Sequence, residues 1–138
     1  MTESELNEVR ELRRELVNGE QKLRTLREQM ARLTARLDGL PHAQATTSPL
    51  ELLTVKIVDL ERELDEMRGR METSSAQLTY RLSFVPLTPR EFSVAVLRYV
   101  SCMNFRDIQF ELRMSDATVF FHHRNALKKI LEPTVALK

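Results

Sequence analysis

Apolar residues in the first third of the chain recur at alternating spacings of three and four residues. This stripe runs from Val9 to Leu40 and has one gap, at Gly19. Such spacing places the apolar side chains on one face and predicts a long amphipathic helix of coiled-coil type. A second stripe, from Leu50 to Leu78, predicts another helix of similar length.

The segment between the two stripes, residues 41–49, reads PHAQATTSP. It has a proline at each end and small polar residues between, which predicts a loop. Two helices of similar length joined by a short loop favour an antiparallel helical hairpin. Two separate parallel coiled coils between chains are the alternative.

The loop length favours a register in which Leu40 faces Leu50. Gly19 then lies opposite Met71, whose flexible thioether side chain would fill the space that the glycine leaves. The residues expected to form the seam of the hairpin are Leu16, Leu23, Leu26, Met30, Leu33, Leu37, Leu53, Ile57, Leu60, Leu64, Met67 and Met71.

The same register predicts favourable ion pairs along one edge, between Arg27 and Glu61 and between Glu20 and Arg68. The other edge carries like charges and is either solvated or faces an acidic surface of a second protomer. Because a two-helix hairpin buries only one stripe per helix, we expect self-association into a homodimer.

Three helix starts follow in the C-terminal part of the chain. Thr88 precedes a proline and has Glu91 three residues on, which is a capping box. Asn104 and Ser115 are further capping residues, before FRDIQFEL and before a helix that runs to about Leu131. A helix, a short helix, a tight turn and a longer helix are typical of a tri-helical helix-turn-helix.

The sequence therefore predicts an all-α protein with two domains. Residues 1–82 form the helical hairpin, for oligomerisation or partner binding, and residues 83–138 form the helix-turn-helix domain. The first segment holds 13 Lys and Arg against 15 Asp and Glu, a net charge of −2, and the second holds 8 against 5, a net charge of +3. The basic excess lies in the segment expected to bind nucleic acid.

Composition narrows the remaining classes of function. The single cysteine, Cys102, allows no internal disulfide and indicates a reducing cytoplasm. We expect no membrane span, no metal, no cofactor and no small-molecule substrate, because no signal-type or spanning apolar run and no metal-binding motif occurs. Adjacent histidines, His122 and His123, point about 100° apart on a helix and chelate poorly. No catalytic motif is present, so we expect no enzyme.

The run VLRYVSCMNFRDIQFELRMSDATVFFHHRNALKKIL resembles the C-terminal domain of bacterial sigma factors that reads the −35 promoter element. The whole chain is similar to small phage-encoded, sigma-like transcription regulators of the ArpU/RinA type, and KIVDLERELDEM is similar to their second coiled helix. The resemblance implies that the reading positions fall on Asp116, Ala117, Thr118, Phe120 and Phe121. It also places Arg113 where many such domains have a turn glycine, which predicts a positive φ there.

Residues around the third helix supply the expected contacts with DNA. The DNA-binding residues that we predict are Arg106, Ser115, Asp116, Ala117, Thr118, Phe121, Arg124, Asn125 and Lys128. Arg90 and Arg98 on the first of the three helices are further candidates for phosphate contacts, and Lys129 belongs to the basic end of the third helix.

The two adjacent phenylalanines leave two interpretations open. One of Phe120 and Phe121 is expected to pack beside Leu127, while the other faces outward. An outward phenylalanine contacts either a thymine methyl group or a protein. For the histidines we expect one structural side chain and one that contacts phosphate.

We therefore predict a sequence-specific, DNA-binding transcription regulator of phage or prophage genes, acting as a dimer on double-stranded DNA. The alternative is an adaptor that has lost DNA reading and binds RNA polymerase or a phage protein. A small terminase-like DNA-packaging subunit is less favoured, because such proteins place the DNA-binding unit before the oligomerisation helices.

Overall fold

A computed structural model describes residues 1–38 and 48–131 of the chain, and for Asp38 and Ser48 it describes the backbone only. Within these ranges the protein is all-helical, which confirms the predicted class. The helices are α1 (Glu3–Asp38), α2 (Ser48–Leu82), α3 (Pro89–Ala95), α4 (Phe105–Leu112) and α5 (Asp116–Leu131). A π-helical segment, Val96–Val100, continues α3 directly.

The helix starts in the C-terminal part are those predicted from the capping residues. The Thr88 hydroxyl accepts a hydrogen bond from the Glu91 backbone N–H, and the Glu91 carboxylate accepts one from the Thr88 N–H. The Asn104 side chain accepts from the Asp107 N–H at 2.8 Å. Each cap satisfies a backbone donor that the helix itself leaves unpaired.

Internal contacts divide the chain into two compact units. One consists of residues 14–70, and the other joins residues 1–13 to residues 71 onward. Both long helices therefore contribute to both units. The predicted domain boundary between residues 82 and 83 separates an oligomerisation or partner-binding part from a helix-turn-helix part, and that division stays a prediction.

Within the unit of residues 14–70, α1 and α2 run antiparallel. Arg27 pairs with Glu61 at 2.5 Å and Arg68 pairs with Glu20 at 3.0 Å, which confirms both predicted ion pairs. The side chains of these pairs are roughly half-exposed, so each pair contributes only about 0.2–1 kcal/mol. The apolar seam, in which Leu16, Leu23, Ile57 and Leu64 are buried, supplies the larger part of the stability.

Two details of the predicted seam are wrong. Leu37 is 42% exposed rather than buried. The side chain nearest to Gly19 belongs to Leu64 and not to Met71. A glycine leaves a gap in the seam, and the fully buried Leu64 fills it with a methyl group.

The predicted loop 41–49 is also too long by two residues at its end. The helix α2 begins at Ser48, so Pro49 occupies its first turn, where proline needs no N–H partner. The rest of that loop, and Leu40 with its predicted position opposite Leu50, lie outside the described residues.

The other unit contains two apolar clusters. One joins the start of α1 and the end of α2 to α3 and α5, through buried residues that include Leu6, Val9, Leu82 and Ile130. The second lies between α3, α4 and α5 and is centred on Val94, Ile108 and Val119. Val119 joins the second cluster and Ile130 the first, so the two clusters cover successive lengths of the same face of α5 and leave the opposite face exposed.

Two residues in the described part of this unit adopt a left-handed backbone conformation without being glycine. Arg113, in the turn between α4 and α5, has a φ of 54°, which confirms the predicted positive value. Cys102, which follows the π-helical segment, has a φ of 60° and was not predicted. A side chain with a Cβ costs about 1–2 kcal/mol in this region.

No helix in the described ranges is both long enough and apolar enough to cross a membrane.

We predict opposite effects for substitutions at two glycines in helices α1 and α2. A Cβ added at Gly19 would overlap Cδ2 of Leu64, whereas one added at Gly69 meets no atom within 4 Å. Gly19→Leu should therefore lower the free energy of unfolding by about 1–3 kcal/mol through overpacking. Gly69→Ala should raise it by about 1 kcal/mol through helix propensity alone.

Urea denaturation of the two variants and of the wild type measures both effects. A Gly19→Leu protein that is as stable as the wild type would contradict the assigned contact with Leu64.

We also predict that Arg113→Gly stabilises the protein. Glycine adopts a φ of 54° without the steric cost that arginine carries, so the free energy of unfolding should rise by about 1 kcal/mol. Arg106→Gly, in the regular helix α4, is the matched control and should lower it by about 1 kcal/mol. Thermal denaturation of both variants is the measurement. A loss of stability in Arg113→Gly would show that the arginine side chain makes a compensating contact.

Candidate nucleic-acid interface

Helix α5 has one buried face and one exposed face. Val119, Ala126 and Ile130 are each at most 2% exposed and point into the two apolar clusters. At 100° per residue, Ala117, Phe121, Arg124 and Lys128 lie within an arc of about 60° on the opposite side. All four are accessible to solvent along this side, and we call this set the outward stripe.

Most of the other residues predicted to bind DNA are also accessible. Arg106 on α4 is exposed, as are Ser115 and Asp116 at the start of α5. Thr118 and Asn125 are half-buried at the side of the outward stripe. The structure thus brings the predicted residues of α5 together along one side of the helix.

The polar side chains at the start of α5 already form hydrogen bonds within the protein. The Ser115 hydroxyl caps the helix by accepting from the Thr118 N–H, and the two hydroxyls share a further hydrogen bond of 2.9 Å. A carboxylate oxygen of Asp116 accepts a hydrogen bond from the side-chain amide of Gln109 on α4. This contact ties the two helices across the tight turn and uses an acceptor of Asp116.

The two phenylalanines differ in their surroundings. Phe120 is 44% exposed and packs against Phe105 of α4, with ring centroids 4.8 Å apart. Phe120 thus has an aromatic partner across the turn, and the expected packing of one phenylalanine beside Leu127 stays a prediction. Phe121 is 56% exposed and faces outward, as expected for one of the pair.

Arg98 is directed into the protein and not toward a phosphate. Its guanidinium carbon lies 4.2 Å from the centre of the Phe105 ring, and Nη1 donates a hydrogen bond to the Met103 carbonyl. Burial, followed by repulsion from Arg10, lowers the pKa of Arg98 below its usual range. The cation–π contact and the hydrogen bond to the carbonyl that follows the π-helical segment engage the guanidinium and argue against a phosphate contact by Arg98, which stays untested.

His123 is the structural histidine of the adjacent pair. Its Nε2 lies 2.8 Å from the Tyr99 hydroxyl, and its ring stacks on Tyr99 and meets Phe105 edge-on. Burial, with repulsion from Arg98 and Arg10, lowers the pKa of His123 below its ordinary value of 6.5. Burial also raises the pKa of Tyr99, so this pair stays uncharged at neutral pH. His122, by contrast, buries its Nδ1 atom without a hydrogen-bond partner among the described residues.

Lys129, at the basic end of α5, differs from its neighbours because its ammonium group forms an internal ion pair. Its ammonium group lies 2.7 Å from the carboxylate of Glu91, which is 5% exposed. The hydrogen bond from Lys129, together with that from the Thr88 N–H, holds the pKa of Glu91 below its usual range despite burial. Arg124 and Lys128 are therefore the exposed basic residues of α5 that form no ion pair within the described residues.

The sequence alone did not identify three of these interactions. The Glu91–Lys129, Tyr99–His123 and Arg98–Phe105 contacts each join residues on different helical segments, at separations that follow no helical period. The capping role of Glu91 was evident from its spacing to Thr88, but its second partner depends on how α5 packs.

No three or more His, Cys, Asp or Glu side chains lie close enough to hold a metal ion in the described ranges. Comparison with protein-family models, with curated proteins and with solved structures found no match for this chain.

We predict that the protein loses stability between pH 7 and pH 5 because of His123. Its pKa is lowered in the folded state, so the unfolded chain binds a proton more readily near pH 6.5. The stabilising contribution is complete above 6.5 and is lost as the pH falls through the folded pKa. The carboxylates of Glu5 and Glu91, whose pKa values are also lowered, begin to contribute to the loss only near 4.5 and below.

Urea denaturation at a series of pH values measures this dependence. His123→Gln should flatten the stability profile between pH 5 and pH 7. An unchanged slope in that variant would assign the dependence to another group.

Proposed function

We propose that the chain is a sequence-specific, DNA-binding transcription regulator. The observation that carries this proposal is the outward stripe, in which an apolar half and a basic half follow each other on the exposed face of α5. The opposite face of the same helix is fully buried, so the stripe is held in a fixed orientation. A helix presented in this way has the form that enters a major groove.

The arrangement of α3, α4 and α5 supports the interpretation as a sigma-like helix-turn-helix. The caps at Thr88, Asn104 and Ser115 and the left-handed turn at Arg113 agree with that plan. In it, Ser115, Ala117 and Thr118 approach base edges, while Arg124, Lys128 and Arg106 contact phosphates.

We propose that the protein acts as a homodimer. The cations available to one protomer are few, since Lys129 and Arg98 are engaged internally. Three or so phosphate contacts give weak binding at physiological salt, and two protomers on one duplex double that number. The antiparallel contacts between α1 and α2 in residues 14–70 support a helical hairpin that would carry the dimer interface.

The biological setting rests on the resemblance to phage-encoded sigma-like regulators. We propose phage or prophage genes as the targets, the cytoplasm as the location and RNA polymerase as a further partner. The −2 net charge of residues 1–82 and the +3 net charge of residues 83–138 agree with a basic C-terminal domain that faces the duplex.

A gel-shift titration at several salt concentrations tests the proposal. Duplexes selected from a random pool serve as the probe, because the selection reveals both whether the protein binds and what it prefers. The double variant Arg124→Ala, Lys128→Ala should bind more weakly to all duplexes. The slope of log K against log salt should fall by roughly one for each phosphate that the variant no longer neutralises.

The matched control removes the same charge from residues 14–70. Lys22→Ala with Arg70→Ala, both exposed on α1 and α2, should leave the salt slope unchanged. At saturation, two chains per duplex are expected. If the wild type shifts no duplex at low salt, DNA binding is disproved.

A second candidate function is a protein-binding adaptor. The observation in its favour is the exposure of three phenylalanines on α4 and α5, with Phe110 at 76%, Phe121 at 56% and Phe120 at 44%. Exposed aromatic residues of this kind are frequent in protein interfaces. Capture of RNA polymerase by the wild type and not by Phe120→Ala, in the absence of any DNA shift, would favour the adaptor.

A further inference from the structure

The start of α5 lacks every side chain that commonly recognises guanine or adenine. Residues 115–123 read SDATVFFHH and contain no arginine, lysine, asparagine or glutamine. Those residues make the paired hydrogen bonds to guanine or adenine in a major groove. The first two turns of α5 therefore offer no such paired contact.

The hydrogen-bonding groups that remain there are already partly committed. One carboxylate oxygen of Asp116 accepts from Gln109, and the hydroxyls of Ser115 and Thr118 bond to each other. Two apolar side chains of the outward stripe, those of Ala117 and Phe121, are exposed in the same two turns. They are one helical turn apart and face the same way.

Thymine carries a methyl group at C5 that projects into the major groove, and small apolar or aromatic side chains contact it. On the basis of the DNA binding proposed above, we infer that α5 recognises thymine through this methyl group, with Ala117 and Phe121 as the contacting residues. Phe120 contributes less, because its ring packs on Phe105.

The rest of the outward stripe fits the same placement. Lys128 lies about 16 Å along the helix from Ala117, at 1.5 Å per residue. With Ala117 and Phe121 at the bases, Arg124 and Lys128 follow toward the sugar-phosphate backbone. Charge attraction thus holds the duplex, and the apolar end selects the base.

Replacing thymine by uracil in the probe tests the inference. Deoxyuridine keeps the base pair and its hydrogen-bonding groups and removes only the methyl group. A duplex selected from the random pool is synthesised in both forms. The uracil form should bind about fourfold more weakly for each contacted methyl group. This fold change corresponds to a free energy of about 0.8 kcal/mol for burying one apolar group of that size.

Three variants link the effect to the side chains. Phe121→Ala should weaken binding to the thymine duplex. It should also lower the ratio of the affinity for the thymine duplex to the affinity for the uracil duplex, because the phenyl ring no longer contacts the methyl group. Phe110→Ala removes another exposed phenylalanine, on α4, and should leave the ratio unchanged. Lys128→Ala should weaken binding to both duplexes by the same factor.

The outcomes separate this inference from the proposed function. Equal affinity for the two duplexes, with binding intact, overturns thymine recognition and leaves DNA binding standing. A thymine preference that persists undiminished in Phe121→Ala also overturns it, because the preference then arises from DNA shape. If no duplex binds at low salt, the proposed function fails as well.

Discussion

The buried carboxylate of Glu91 is the interaction on which the exposed face of α5 depends. It caps α3 from within, by accepting from Thr88, and at the same time accepts from Lys129 near the end of α5. A charged group this deeply buried is stable only when it is paired, so both contacts are needed together. The pair links two helices that are distant in sequence and, together with the burial of Val119, Ala126 and Ile130, sets the rotation of α5 about its own axis. Which residues of α5 face solvent follows from that rotation.

Contacts within the protein engage two cations of this unit, Arg98 and Lys129. Arg98 contacts the Phe105 ring and donates a hydrogen bond to the Met103 carbonyl, and Lys129 forms an ion pair with Glu91. Arg124 and Lys128 are thereby left as the exposed cations of α5 without an ion pair among the described residues. On the proposed function, a surface with two such cations makes few phosphate contacts with DNA. Its affinity is accordingly expected to depend less on salt than that of a strongly basic domain.

Much of the local structure could be predicted because it depends on residues close in sequence. Heptad spacing predicted the long helices, and the caps at Thr88, Asn104 and Ser115 predicted where the short ones begin. The ion pair between Arg27 and Glu61 followed from the same periodicity. Packing across helices could not be predicted in this way. Three features depend on how separate helices approach one another. They are the contact of Leu64 with Gly19, the packing of Phe120 on Phe105 and the π-helical segment before Cys102.

The unit that carries α5 is assembled from chain segments made at different times. Residues 1–13 emerge from the ribosome well before α5, yet their buried side chains, Leu6 and Val9, pack with residues 78–130. At a typical synthesis rate, the delay is on the order of ten seconds. During it, the two side chains lack the apolar partners that α5 provides, Ala126 and Ile130. Completion of this unit therefore waits until α5 has been synthesised, and a chain interrupted before α5 cannot form it.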